Sequence, residues 1–315
     1  MKRLYFIVNP RSGQGQIKRR LGDVLDIFIK AGYEVTVHIT QAPRDAVTRA
    51  ACAAQDGYDL IVCSGGDGTL NEVVSGVMNS GRDVPIGYLP AGSTNDFSRS
   101  LQIPLDTSQA ALLAVRGTPH RFDVGMLGDR RFIYVAAFGA FTELTYQTPQ
   151  DMKNSLGYLA YVMEGVRTIG SIRPHHVRIE TDDTAIEGDY IVGLVTNSIS
   201  VGGMPIPAIQ DSHLDDGLLE VLLVKNPENV FDFTVAVSDL ITGNTVNTEA
   251  VTFFKTHRLT VSCDEEISWT VDGEDGGAWR DVTIENIPRA VSIMTHRRLS
   301  NLRGDRAAEL PEREN

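Results

Sequence analysis

Cysteine is scarce in this chain: Cys52, Cys63 and Cys263 are far apart and form no CxxC pair. This excludes a disulfide-stapled scaffold and a thiolate metal finger, and it fits a reduced, cytoplasmic compartment. Positive charge is also short. A formal net charge of −12 over 315 residues argues against a nucleic-acid partner, which would need a basic surface for phosphate. Long apolar runs are missing too, because nothing approaches the ~20 residues that cross a bilayer. The start, MKRLYFIVNP, resembles a signal peptide only until Asn9-Pro10 ends its short apolar run. The expectation is a soluble protein that touches membranes without crossing them.

With 42% hydrophobic residues there is ample material for two cores. The first third alternates strand and helix. LYFIV (4–8), YEVTVHI (33–39), DLIVC (59–63) and PIGYL (85–89) read as strands. Helical spacing marks 17–30, 45–55 and 69–79, with further helices near 94–100 and 106–116. This βαβ rhythm predicts a doubly wound sheet with its ligand at the carboxyl ends of the strands. After about residue 120 strands dominate. FDVGML and RFIYVAAFG form an expected hairpin, and VRIE, YIVGLVT, LLEVLLV, VTFFK, RLTVSC, EISWTV and DVTIE follow. Helices are expected at 150–169 and 228–241. The predicted fold is an N-terminal doubly wound α/β nucleotide-binding domain (1–121) followed by a β-rich, sandwich-like domain (122–294). The site is expected between them, and the tail at 295–315 is left free to return to the first domain.

SGGDGT (64–69) lies between a buried strand and a helix, yet it is neither a Walker A loop nor a complete GxGxxG. Gly65, Gly66 and Gly68 lead into a helix N-terminus, which favours an anion such as phosphate. Thr69 and Glu72 have the T-x-x-E spacing of a capping box. Asp67 would repel phosphate unless a cation came with it, and a carboxylate that holds Mg²⁺ turns repulsion into selection. A second loop, PAGSTNDF (90–97), offers Ser93 and Thr94 to phosphate, and Asn95 and Asp96 to a metal or a helix cap. Asp123 begins the strand that leaves the first domain. Each of these three aspartates, taken alone, also reads as a cap or turn residue.

NPRSG (9–13), SGGDGTLNEVVSG (64–76), PAGSTNDFSR (90–99), FDVG (122–125), LDDG (214–217) and VDGE (271–274) occur in the order of the diacylglycerol kinase catalytic-domain family. The chain resembles its soluble bacterial lipid kinases over about residues 2–295. GGDGT alone is shared with NAD kinases; its combination with NDF and a late DGE is far more specific. The resemblance implies ATP bound by Gly65, Gly66, Asp67, Gly68, Thr69, Leu70, Asn71 and Glu72, with Asn9, Thr40 and Ser93 beside it. Ser93 replaces the usual threonine. It also implies an Asp–water–Mg²⁺ network of Asp67, Asp96 and Asp123, and Glu274 as the general base acting on a lipid hydroxyl. A structural Mg²⁺ is implied at the Asp216 side chain and the carbonyls of His213 and Leu218. Read without the resemblance, Glu274 is a solvated residue of an Asp-Gly turn, and LDDG is an ordinary turn.

The implied substrate is diacylglycerol and the implied product phosphatidic acid. A kinase of another lipid, an NAD-kinase-like enzyme on a soluble acceptor and a silent lipid-binding scaffold remain alternatives. A lipid kinase has to work at a membrane. Residues 1–30 carry seven basic residues, Lys18, Arg19 and Arg20 among them, against Asp23 and Asp26. Transient docking on the anionic inner face of the membrane is therefore an expectation, beside the plainer reading of a solvated helix face. SISVGGMPIPAIQ (198–210) reads as a lipid entrance or a packed loop. The sequence leaves a homodimer open.

Overall fold

A computed structural model describes residues 1–92, 94–139, 173–198, 200–201, 204–205, 213–226 and 250–296. The helices expected at 150–169 and 228–241, Ser93, most of 198–210 and the tail beyond 296 lie outside the described residues.

The first half is built as its periodicity predicts. Strands β1 (Lys2–Val8), β2 (Tyr33–Ile39), β3 (Leu60–Gly65) and β4 (Ile86–Pro90) are parallel, in the spatial order β2-β1-β3-β4. Every residue of β3 is buried, as a parallel strand between two helix layers requires. Helix α1 (Gln16–Lys30) packs with α5 (Thr107–Arg116), and α2 (Asp45–Gln55) with α3 (Asp67–Ser80). Alanines Ala46, Ala50, Ala53 and Ala54 give α2 a flat buried face. Gly76 of α3 meets it so closely that a methyl group there would stand 2.8 Å from Cβ of Ala50. Short helix α4 (Asp96–Ser100) follows the second glycine loop.

The strand-rich half continues the same sheet. Strands β5 (Thr118–Leu127), β6 (Arg130–Phe132), β7 (Val135–Gly139), β8 (His175–Glu180) and β9 (Ala185–Thr196) are followed by a small hairpin, β10 (Ser200–Val201) with β11 (Met204–Pro205). Then come β12 (Leu219–Lys225), β13 (Val251–Thr256), β14 (Arg258–Val271) and β15 (Glu274–Thr295). Among the described residues, one path runs β13-β12-β9-β7-β14-β15-β4-β3-β1-β2. A second apolar cluster around Trp269, Phe138 and Tyr190 fills this half, with the Trp269 and Phe138 rings 4.9 Å apart.

Several sequence boundaries move. RFIYVAAFG is two strands, β6 and β7, because the amides between them turn aside to a buried carboxylate. RLTVSC and EISWTV merge into β14 across a register shift after Ser262. The boundary expected near residue 121 falls inside β5. The long strand β15 pairs with β5 and, at Ile293, with Ile86 of β4. Its pairing with β5 shifts between Ile287 and Val291, so the strand kinks as it passes from one half to the other.

Candidate active site

The carboxyl ends of β1, β3 and β4 are sewn together by backbone. Asn9 donates its amide to the Ser64 carbonyl at 2.9 Å, and Ala91 donates to Gly65 at 2.7 Å. Thr40, just past β2, donates to Val8 at 2.9 Å. Side chains add to this: Asn9 Nδ2 donates to Thr69 Oγ1 at 3.0 Å. The two glycine loops then touch without side chains between them. A methyl group on Gly92 would stand 2.7 Å from the Gly66 Cα, so only glycine fits this approach. Gly66 caps α3, leaving the free amides of that helix at the mouth of the loop.

The expected capping box does not form. Thr69 Oγ1 is taken by Asn9, and the Glu72 carboxylate reaches to α2, accepting from the amides of Arg44 at 2.9 Å and Ala46 at 3.2 Å. Glu72 therefore caps its neighbour's helix, a tertiary use that spacing along one helix cannot reveal.

Asp67 is bound to the second glycine loop. Its Oδ2 accepts from the Asp96 amide at 3.1 Å and the Thr94 hydroxyl at 3.4 Å, and Oδ1 accepts from the Phe97 amide at 3.4 Å. The side chain is only 7% exposed. Burial first, then the neighbouring charge of Asp96, pushes it up to about 6. Two buried carboxylates in one place suit a divalent cation that takes few protein oxygens and keeps its waters, so the donor set fits Mg²⁺. Among the described residues no group of three or more His, Cys, Asp or Glu converges as a metal cage.

Asp123 belongs to another set. Its carboxylate accepts from the amides of Arg289 and Gly217, both at 2.7 Å, and from Asn286 Nδ2 at 3.1 Å. Burial raises its pKa against these donors. Arg289 lies in the kink of β15, so Asp123 pins the kink and ties it to the LDDG turn. In that turn Asp216 Oδ1 accepts from the Leu218 amide at 2.9 Å, and the Leu218 carbonyl accepts from Asn286 at 3.0 Å. His213 directly precedes the turn.

Glu274 opens β15 at the rim of a cleft of about 150 Å³, lined by Gly68, Asn71, Glu72, Arg131 and Asp272 among others. Its carboxylate lies against the glycine loop: a methyl group on Gly68 would stand 2.5 Å from Oε1 of Glu274. The side chain is solvent-exposed at the cleft, yet its pKa is raised, first by the loss of water around it and then by the charge of Glu72.

Three residues of this site were not singled out from sequence. Tyr88 donates its hydroxyl to the Gly65 carbonyl at 3.2 Å. Tyr134 is buried, and its phenol is held well above its ordinary range by burial and by Asp272, Asp96, Asp67 and Glu274 around it. Asp272 is buried under four hydrogen-bond donors. Only Asp272 had a signal, as the first residue of the DG pair before Glu274.

Glycine loops at the ends of parallel strands, a helix N-terminus at their mouth and a facing carboxylate make this a site of the kinase class. Residues 3–127 match the diacylglycerol kinase catalytic domain, and residues 140–295 the YegS C-terminal NAD kinase beta sandwich-like domain. The chain is 38% identical over 278 residues to the diacylglycerol kinase of Bacillus subtilis (strain 168), covering 88% of this chain and 91% of that one. It is 31% identical over 300 residues to the diacylglycerol kinase of Staphylococcus carnosus (strain TM300), covering 95% and 97%. A crystal structure of a diacylglycerol kinase from Bacillus anthracis str. Sterne superposes with a TM-score of 0.74 at 21% identity, covering 94% of this chain and 97% of that one. The chain belongs to the diacylglycerol kinase catalytic-domain family. It is an enzyme, a kinase with an α/β nucleotide-binding half and a sandwich-like second half.

Proposed function

We propose that this kinase transfers the γ-phosphoryl group of ATP to the free hydroxyl of diacylglycerol, giving phosphatidic acid and ADP. The observation that carries the reading is the Glu274 carboxylate set against Gly68 of the loop that favours phosphate. Glu274 accepts the hydroxyl proton, the lipid oxygen bonds to the γ-phosphorus, and the bond from phosphorus to the β–γ bridging oxygen breaks. The α3 amides and the paired glycine loops hold the phosphates. Asn9 fixes Thr69 beside them. Mg²⁺ bound with the nucleotide, at Asp67 and Asp96, would supply charge neutralisation on the transferring phosphates.

The test is labelled ATP with Mg²⁺ and diacylglycerol in mixed micelles containing anionic phospholipid. Labelled phosphatidic acid is expected from the parent, with a loss on the order of 10²–10⁴-fold in Glu274→Ala. Glu274-dependent labelling of a different lipid in a total extract would replace the acceptor. Equal labelling by both proteins would remove Glu274 as the base.

Lys18, Arg19 and Arg20 are all exposed in the first turns of α1. With roughly 1 kcal/mol of attraction per basic residue near an anionic leaflet, they support transient docking there. No described helix is long and apolar enough to cross a membrane. Neutralising the three is expected to reduce co-sedimentation with anionic vesicles, and unchanged sedimentation would sink the idea.

A further inference from the structure

We propose that Asp272 is a positioning residue for Glu274, a latch that fixes the base-bearing turn to the helix behind the glycine loop. This rests on the reading of Glu274 as the base. The turn from β14 to β15 has Asp272 at φ 50 and Gly273 at φ 80, the positive-φ pair that an Asp-Gly turn demands. Turn chemistry explains that backbone but not the side chain, because an ordinary Asp-Gly turn leaves its carboxylate in water. Here the residue is only 7% exposed. Oδ1 accepts from the amides of Tyr134 at 3.0 Å and Val135 at 3.1 Å. Oδ2 accepts from the Ile133 amide at 2.8 Å and from Asn71 Nδ2 at 2.6 Å.

Each oxygen thus faces two donors, three of them consecutive amides that form an anion nest. An asparagine could make the same turn. Whichever way its amide flipped, though, an NH₂ group would face two donors, so the position selects an acceptor-only side chain.

The link to the glycine loop is Asn71, three residues beyond Gly68 on α3. Its Nδ2 gives one hydrogen to Asp272 and the other to the Arg131 carbonyl at 2.9 Å. Its Oδ1 accepts from Ser75 Oγ at 3.3 Å. The side chain of Asn71 is thereby committed to the strand-rich half. One helix carries both the phosphate loop and the latch, and two residues past the latch stands Glu274. The geometry makes the distance from base to loop depend on a single buried carboxylate.

The experiment is a mutant cycle. Asp272→Asn and Asn71→Ala are each made in the parent and in Glu274→Ala, and kcat, KM for ATP and thermal unfolding are measured. Asp272→Asn is expected to lower kcat on the order of 10²-fold, the scale of a displaced catalytic group, with KM for ATP unchanged. In the Glu274→Ala background it should cost nothing further. Asn71→Ala, which leaves the amide nest intact, should lower kcat by a smaller factor, again only where Glu274 is present, and it carries the test if Asp272→Asn does not fold. Equal losses in both backgrounds, or a KM that rises in step with lost thermal stability, would reduce Asp272 to a structural residue. If Glu274→Ala alone is fully active, the reading of the base fails first, and that single variant shows it.

Discussion

On the α/β side of the cleft, backbone meets backbone: Gly66 and Gly92 touch, and Gly65 and Ala91 share a hydrogen bond. On the strand-rich side, buried carboxylates gather amides, four donors at Asp272 and three at Asp123. The first wall needs the absence of side chains, the second the presence of charge. Each wall should therefore fail in its own way.

The largest expected effect separates structure from chemistry at one residue. In Gly68→Ala the new methyl group meets only the flexible tip of Glu274, and alanine suits the first turn of a helix. The fold should keep its thermal stability, while kcat falls on the order of 10²-fold as the base is displaced. An active Gly68→Ala would mean that Glu274 reacts from another position. Next comes Gly92→Ala, where the same methyl group meets the Gly66 backbone. There the cost should appear as stability, about 1–3 kcal/mol in denaturant unfolding. Unaltered unfolding would show that the two loops lie further apart than described.

The smallest effect is electrostatic. Glu274 must be ionised to accept a proton, so activity falls as pH drops through its raised pKa. Glu72→Gln removes the neighbouring charge while keeping an acceptor for the start of α2. The acid limb of the kcat profile should move to lower pH. A limb that stays in place would leave desolvation as the whole cause.

The two walls were unequally legible in the sequence. Strand and helix spacing predicted β1–β4 and their helices, and the glycine loops announced themselves because only glycine tolerates such contact. The other wall is made by residues remote in sequence. Asp272 meets Asn71 and Ile133–Val135, and Asp123 meets Gly217 and Arg289. No local period encodes those meetings. Thr69 and Glu72 illustrate the limit from the other side: a spacing that suits a local cap was overruled by Asn9 and by α2. Glu274 stood out only by family resemblance, since its own neighbourhood reads as a turn.

Strand β15 joins the walls, beginning at Glu274 and ending beside β4, with its kink held by Asp123. It has the form of a lever whose fulcrum is the kink and whose tip is the proton acceptor. At roughly 3.3 Å per residue the arm is about 40 Å when fully extended. Asp123, far along the strand from Glu274, holds that fulcrum in place.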